Sequence, residues 1–212
     1  MLALGYGEYR LSRDIDFLCP YGTPFSQLRR SVFKDGYSAL FDLNICDEIS
    51  FPNDMRADRY GVRFSVQFQE AILKFEIVAE GRIRLDEPSE PEWSPVACLG
   101  LVDQVAEKLL ANGDRWPDRS VYSRDLIDLS ILKQKTAFPK EAIAKAEAAY
   151  PTIEPLKRSL HDFQKQPDYR LRCYEKLQIA HPPIIVNGLD LLAEQFGLPL
   201  FDRQYRETNS IE

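Results

Sequence analysis

The sequence predicts an α+β fold: a mixed or antiparallel sheet with flanking helices, followed by a C-terminal helical bundle. Three observations predict it. Residues 60–80 hold two strand-like runs separated by a short turn. Residues 86–95, Asp-Glu-Pro-Ser-Glu-Pro-Glu-Trp-Ser-Pro, are dense in proline and acid. Everything beyond them has helical period and is cut into short lengths by prolines.

Taken in order, residues 1–8 read as the end of a helix closing at Gly5 and Gly7, and residues 13–19 as a strand. Thr23-Pro24 opens a helix running to about Lys34, with Thr23 as N-cap and Pro24 at the first helical position; Gly36 ends it. Residues 38–51 are apolar and irregular, a mixture of strand and loop. Tyr60, Val62, Phe64, Val66 and Phe68 share one face of a strand, with Arg63, Ser65 and Gln67 on the other. Gln69-Glu70 makes a turn, and residues 71–80 return as a second strand, giving a hairpin. The proline-rich stretch cannot continue a helix or a central strand, so the linker falls there. This divides the chain into an α/β core, 1–95, and a helical domain, 96–212. Helices are expected at 100–112, 123–135, 139–149, 152–166, 169–179 and 185–197, packed as a bundle. The last ten residues are polar and read as loose.

Composition narrows the function classes. The 212 residues are 44% hydrophobic and 28% charged, ordinary for a soluble globular protein. A net charge of −6 argues against a general nucleic-acid coat. Residues 101–180 carry 14 Lys/Arg against 12 Asp/Glu, which leaves room for a local basic face or for a solvated helical surface. No apolar run approaches the ~18–20 residues of a membrane span. The first twenty residues hold Glu8, Asp14 and Asp16 and no signal-peptide core, so a cytoplasmic location is expected. Cys19, Cys46, Cys98 and Cys173 lack Cys-x-x-Cys spacing, and His161 and His181 are remote from them. That pattern argues against zinc and for reduced thiols.

The densest chemical signal is Arg10-Leu-Ser-Arg-Asp-Ile-Asp-Phe17. On a strand, residues i and i+2 point to the same face, so Asp14 and Asp16 stand side by side while Ile15 and Phe17 face the core. Adjacent like charges repel unless a cation neutralises them. Mg²⁺ prefers one or two carboxylates together with substrate phosphates. Glu76, in Leu73-Lys-Phe-Glu-Ile-Val78, is the candidate third acid from a neighbouring strand. The competing reading of Glu76 is an exposed sheet face carrying a Lys74–Glu76 pair. Lys108, in the helix after the linker, projects about 20° from Leu101 and about 60° from Val105 on a helical wheel. It either snorkels from the edge of the buried stripe or offers its ammonium to a phosphate. In Ser123-Arg-Asp-Leu-Ile-Asp-Leu-Ser-Ile-Leu132, apolar residues surround a helix that carries Asp125 and Asp128. Such a helix is buried, and its carboxylates need partners. Arg124 is placed for Asp128 at i,i+4, and Lys108 for either acid. Ser123 is the expected N-cap. An ion-paired clamp between two helices is the structural alternative.

These motifs together resemble the nucleotidyltransferase AbiEii/AbiGii toxin family of the polymerase-β-like superfamily. The resemblance runs through Leu2-Ala-Leu, five residues and then Arg10-x-Ser12-x-Asp14-Ile-Asp16-Phe17, through Lys74-Phe-Glu76-Ile, through Ala106-Glu-Lys108-Leu-Leu-Ala111 and through Arg124-Asp125-Leu-Ile-Asp128-Leu. Four motifs in the family's order span residues 2–132. The resemblance implies a nucleotidyltransferase-like sheet core. It implies that Asp14, Asp16 and Glu76 hold a divalent ion, Mg²⁺ or Mn²⁺, and that one of them activates the attacking hydroxyl. Arg10 and Ser12 would lie beside the triphosphate of an NTP, and Lys108 would contact phosphate oxygens. Asp128, counted with the catalytic residues, or Asp125 would orient Lys108 or the acceptor. Lys74 and Arg124 join the nucleotide-binding set. The implied reaction moves a nucleotidyl group from NTP to an RNA end, such as tRNA, or to a protein hydroxyl, with pyrophosphate released. A cognate antitoxin, typically a winged-helix protein, is the implied partner. The family's Gly-Gly-Ser/Thr turn, which cradles phosphates, would fall just before Met1. Weak or no turnover is therefore the expectation for this 212-residue form. A non-catalytic nucleotide- or partner-binding module with a degenerate version of the fold is the alternative.

Overall fold

Alternating apolar residues can bury one face of a sheet only if something packs on it, and here an amphipathic helix and the aromatic-rich stretch that follows it do so. The computed structural model describes residues 2–12, 14–44 and 48–201. Cys46 and the polar C-terminal end lie outside the described residues. Helix α1 spans Leu2–Gly5 and strand β1 spans Asp14–Pro20. Helix α2, Thr23–Asp35, is followed by a 3₁₀ turn at Gly36–Ala39. Strands β2 (Ile49–Ser50), β3 (Arg56–Ala57), β4 (Gly61–Phe68) and β5 (Ala71–Glu80) complete the sheet.

The contacts divide the chain into two compact units, Ser12–Leu85 and Leu2–Leu11 with the chain from Asp86 onward. In the first unit the sheet order is β1-β5-β4-β2, with β3 also on β4. The β4–β5 hairpin is antiparallel, and β1 joins β5 in parallel, so the sheet is mixed. Gln69 takes a left-handed φ of 54° at the hairpin turn. Val62, Phe64, Val66 and Ile77 from one sheet face bury Phe25 and Val32 of α2. Phe64 stacks on Phe75 with ring centroids 4.7 Å apart, a geometry that adds about 1 kcal/mol to the area buried.

The caps of α2 correct one expectation. Gly22, not Thr23, is the N-cap, at φ 101°, and Thr23 already lies inside the helix. Gly tolerates that φ at no steric cost. Gly36 closes the helix at φ 59°, as the sequence suggested.

The second unit is helical: α3 Leu101–Arg115, α4 Arg124–Lys135, α5 Lys140–Ala149, α6 Ile153–Lys165, α7 Pro167–Lys176 and α8 Pro182–Gln195. Helix α4 is the centre of it. Eight consecutive residues, Asp125 to Leu132, are buried, which an all-round apolar helix requires. Gly188 lets α8 approach closely, because a Cβ there would lie 2.0 Å from the Ser130 carbonyl oxygen. Ser123 occupies the N-cap position of α4 but makes no side-chain cap. It sits at φ 50°, beside Tyr122 at φ 53°, and its hydroxyl is hydrogen-bonded with the Tyr169 hydroxyl, 3.1 Å away. The N-terminal residues pack with these helices: the Leu11 amide donates to the Leu177 carbonyl, and a Cβ on Gly5 would meet the Trp93 ring.

Candidate active site

Two clusters of charged side chains carry the motifs, one in each unit.

The first lies on the sheet face opposite α2. Strand pairing in parallel register sets Asp14 beside Lys74 and Asp16 beside Glu76, and the antiparallel pairing sets Glu76 beside Arg63. Directly paired residues share a face, as do residues two apart. Asp14, Asp16 and Glu76 therefore stand on one face, as the alternation required, while Phe17, Phe75 and Ile77 join the core on the other. Asp16 is exposed and Asp14 half-buried. Ser12 is exposed just ahead of β1, its hydroxyl 3.5 Å from the Asp14 carbonyl oxygen. Glu76 is engaged at both oxygens: Arg63 Nε donates to Oε1 at 2.5 Å and Lys74 Nζ to Oε2 at 2.6 Å. Burial works to raise the Glu76 carboxyl pKa. The hydrogen bonds and charges of Lys74 and Arg63 outweigh it and hold the group below its ordinary value. The Lys74–Glu76 pair foreseen as the alternative is thus present, on the same face as the two aspartates. No trio of His, Cys, Asp or Glu is gathered into a ready metal cage among the described residues. As a donor set, however, three carboxylates on adjacent strands suit a hard oxygen-seeking cation, which would compete with Lys74 and Arg63 for Glu76.

The second cluster is buried in the helical unit. Asp128 is fully buried and receives Arg10 in bidentate fashion, Nε to Oδ1 at 2.6 Å and Nη2 to Oδ2 at 2.9 Å. The Tyr9 hydroxyl donates to Asp128 Oδ1 at 2.6 Å, and Lys108 Nζ lies 2.6 Å from Oδ2. Asp125, also buried, takes Arg115 through Nε at 2.6 Å and Nη2 at 2.9 Å, with Lys108 at 3.3 Å. Lys108 thus bridges both aspartates, and Asp125 sits in the first turn of α4 where the helix dipole favours an acid. Burial alone would raise the Asp128 pKa. The charges of Lys108 and Arg10 and their hydrogen bonds override it and hold the carboxyl well below the usual range. Asp125 is held low in the same way, burial being outweighed first by the Arg115 hydrogen bond. Burial and the Asp128 charge together push the Tyr9 phenol far up, so it remains a donor.

The sequence offers Lys108 to either aspartate, and the structure sets it against both. Four partners are not foreseen: Arg63 on Glu76, Arg10 and Tyr9 on Asp128, and Arg115 on Asp125. Arg115 lies seven residues, two turns, after Lys108 on the same helix, and that spacing was a usable signal. Arg10 was expected beside a triphosphate and Arg124 beside Asp128. Arg10 places its guanidinium on Asp128, and Arg124 stands half-buried in the first turn of α4, four residues before Asp128.

A sequence model described as nucleotidyl transferase AbiEii toxin, type IV toxin–antitoxin system, matches residues 1–182. The chain belongs to this AbiEii family. All the motif residues of the AbiEii chain, from Arg10 to Asp128, fall inside the matched range. Among solved structures, the crystal structure of JHP933 from Helicobacter pylori is similar at 22% identity, covering 92% of this chain and 79% of that one, with a TM-score of 0.49. No protein of curated function matches. Among the described residues of this AbiEii chain, no helix is long and apolar enough to cross a membrane.

Proposed function

We propose that the chain is a metal-dependent nucleotidyltransferase of toxin type. It transfers a nucleotidyl group from an NTP to an RNA such as tRNA, or to a protein hydroxyl, and a cognate antitoxin restrains it in the cytoplasm. The observation that carries this reading is the β1–β5 register, which sets Asp14, Asp16 and Glu76 on one sheet face. These three would hold Mg²⁺ or Mn²⁺. The ion supplies charge neutralisation at the transferring phosphorus and its leaving oxygens.

The chain's own groups do the rest. One aspartate of the pair takes the proton of the attacking hydroxyl, a role its exposed setting on β1 allows. Ser12, exposed just ahead of the acids, offers a hydroxyl to the triphosphate, and Lys74 a charge beside it. In the helical unit Lys108 contacts phosphate oxygens as a point charge. Asp125 and Asp128 fix its direction, and Arg124 belongs to the same nucleotide-binding set.

One observation favours a second reading, a non-catalytic nucleotide- or partner-binding module. Both Glu76 oxygens are already met by cations, so that carboxylate is paired without an ion. Thermal melts with Mg²⁺ and NTP, paired with transfer of α-labelled NTP to total RNA and protein, separate the two. The transferase gives a metal-dependent rise in midpoint and a labelled product, both lost in Asp16→Ala. A shift without label favours the binding module. Neither shift nor label defeats both readings.

A further inference from the structure

A lysine that contacts phosphate must keep its charge available. Lys108 lies within 3.3 Å of two buried carboxylates, 2.6 Å from the nearer, and ordinary ion pairing would consume it. The arrangement around it prevents this. Each carboxylate already has its own guanidinium in bidentate contact: Arg10 on Asp128 and Arg115 on Asp125. Asp128 further accepts from Tyr9. The Arg10 and Asp128 side chains are 8% and 0% exposed, that of Lys108 21%. The compensated pair is therefore the buried part, and the Lys108 side chain is the partly open one beside it.

We infer that Arg10 is a positioning residue that neutralises Asp128, so that Lys108 is oriented by that carboxylate without being neutralised by it and keeps a positive charge for a polyphosphate. The inference rests on the proposed phosphate contact at Lys108, and it assigns Arg10 a role through Asp128 in place of direct contact with the triphosphate. The physical basis is charge count in a low-dielectric setting. A carboxylate held by one guanidinium has little remaining field with which to compete for Lys108, whereas a buried carboxylate with no other cation would hold that lysine tightly.

Inorganic tripolyphosphate, titrated calorimetrically into the full chain in metal-free buffer, tests this without requiring turnover. Lys108→Met reports on the underlying reading. If it binds as well as the unmodified chain, Lys108 is no phosphate contact and the inference falls with it. If Lys108→Met loses binding, Arg10 is on trial alone. Arg10→Gln is expected to weaken binding on the order of 10-fold, the equivalent of one ordinary ionic contact. Arg10→Lys, which keeps the charge, should stay within about 3-fold, and Arg10→Gln/Asp128→Asn should recover to a similar level, because the buried charge is removed with its partner. A folded Arg10→Gln that binds like the unmodified chain overturns the inference while leaving the phosphate contact intact. Should Arg10→Gln fail to fold, the double variant decides. Binding about 10-fold weaker than that of Arg10→Lys shows that Arg10 acts otherwise than by neutralising Asp128.

Discussion

Asp128 shows how much of a buried charge can be read from a sequence and how much cannot. Its burial was legible, because Leu126, Ile127, Leu129, Ile131 and Leu132 leave the helix no polar side. Lys108 as a partner was legible from its place at the edge of an apolar stripe. Arg10 and Tyr9 were not, because they come from more than a hundred residues away and no periodicity relates them to α4. The same holds for Arg63, whose polar face was evident but whose opposition to Glu76 depends on strand register. The Asp128 network has a measurable signature. Breaking a buried pair by removing one partner typically costs about 3–5 kcal/mol, so Asp128→Asn should lose roughly that in urea unfolding at pH 7. The sign with pH follows from the lowered folded-state pKa. The carboxylate's contribution is fully present above the unfolded value of about 4 and is lost as pH falls below it toward the folded value. The gap between the two proteins should therefore narrow on acidification below about pH 4. A gap that is constant from pH 7 to pH 3 would show that Asp128 is not ion-paired as described.

Among the elements, period and punctuation located strands and helices, while the backbone at their ends escaped. The 60–80 hairpin and the places of α7 and α8 follow from side-chain pattern, but both helices begin before the expected 169 and 185, at Pro167 and Pro182, because proline fits the first helical turn. The start of α2 does not, because Gly22 caps it by adopting φ 101° and contributes no side chain that a capping rule can recognise. Ser123 fits the capping rule and fails it, since its hydroxyl goes to Tyr169. Two helical glycines make opposite predictions that composition could not supply. At Gly188 of α8 an added Cβ would lie 2.0 Å from the Ser130 carbonyl oxygen. Gly188→Ala must push α8 off α4 and should cost about 1–3 kcal/mol or more, as overpacking does. At Gly113 of α3 the nearest atom to a Cβ is 3.6 Å away, an ordinary contact with Tyr150. Gly113→Ala should raise stability by up to about 1 kcal/mol through helix propensity. Thermal melts of the two variants should move in opposite directions, and a common sign would refute the close approach of α8 to Ser130.

At the scale of the whole molecule, the order of the chain and the order of packing differ. Residues Leu2–Leu11 come first but pack with the helices that begin a hundred residues later. A linear reading cannot see this, because a short segment has no period of its own long enough to declare a partner. Its anchors are specific: the Arg10–Asp128 pair, the Tyr9 hydroxyl, the Leu11 amide on Leu177 and Gly5 against Trp93. Deleting residues 1–11 removes all four and leaves Asp128 buried with Lys108 alone among the partners described. Removing the Arg10 partner of this buried ion pair is expected to cost about 3 kcal/mol. Both tryptophans, Trp93 and Trp116, belong to the helical unit, so tryptophan fluorescence follows that unit. The truncated chain should show red-shifted emission and an earlier urea midpoint by this probe. Hydrogen exchange should speed most at the amides of α3 and α4, where Lys108, Asp125 and Asp128 sit, since local opening follows the loss of local contacts. Equal acceleration in the β4–β5 hairpin and in α4 would mean that the segment stabilises the chain by some route other than this network.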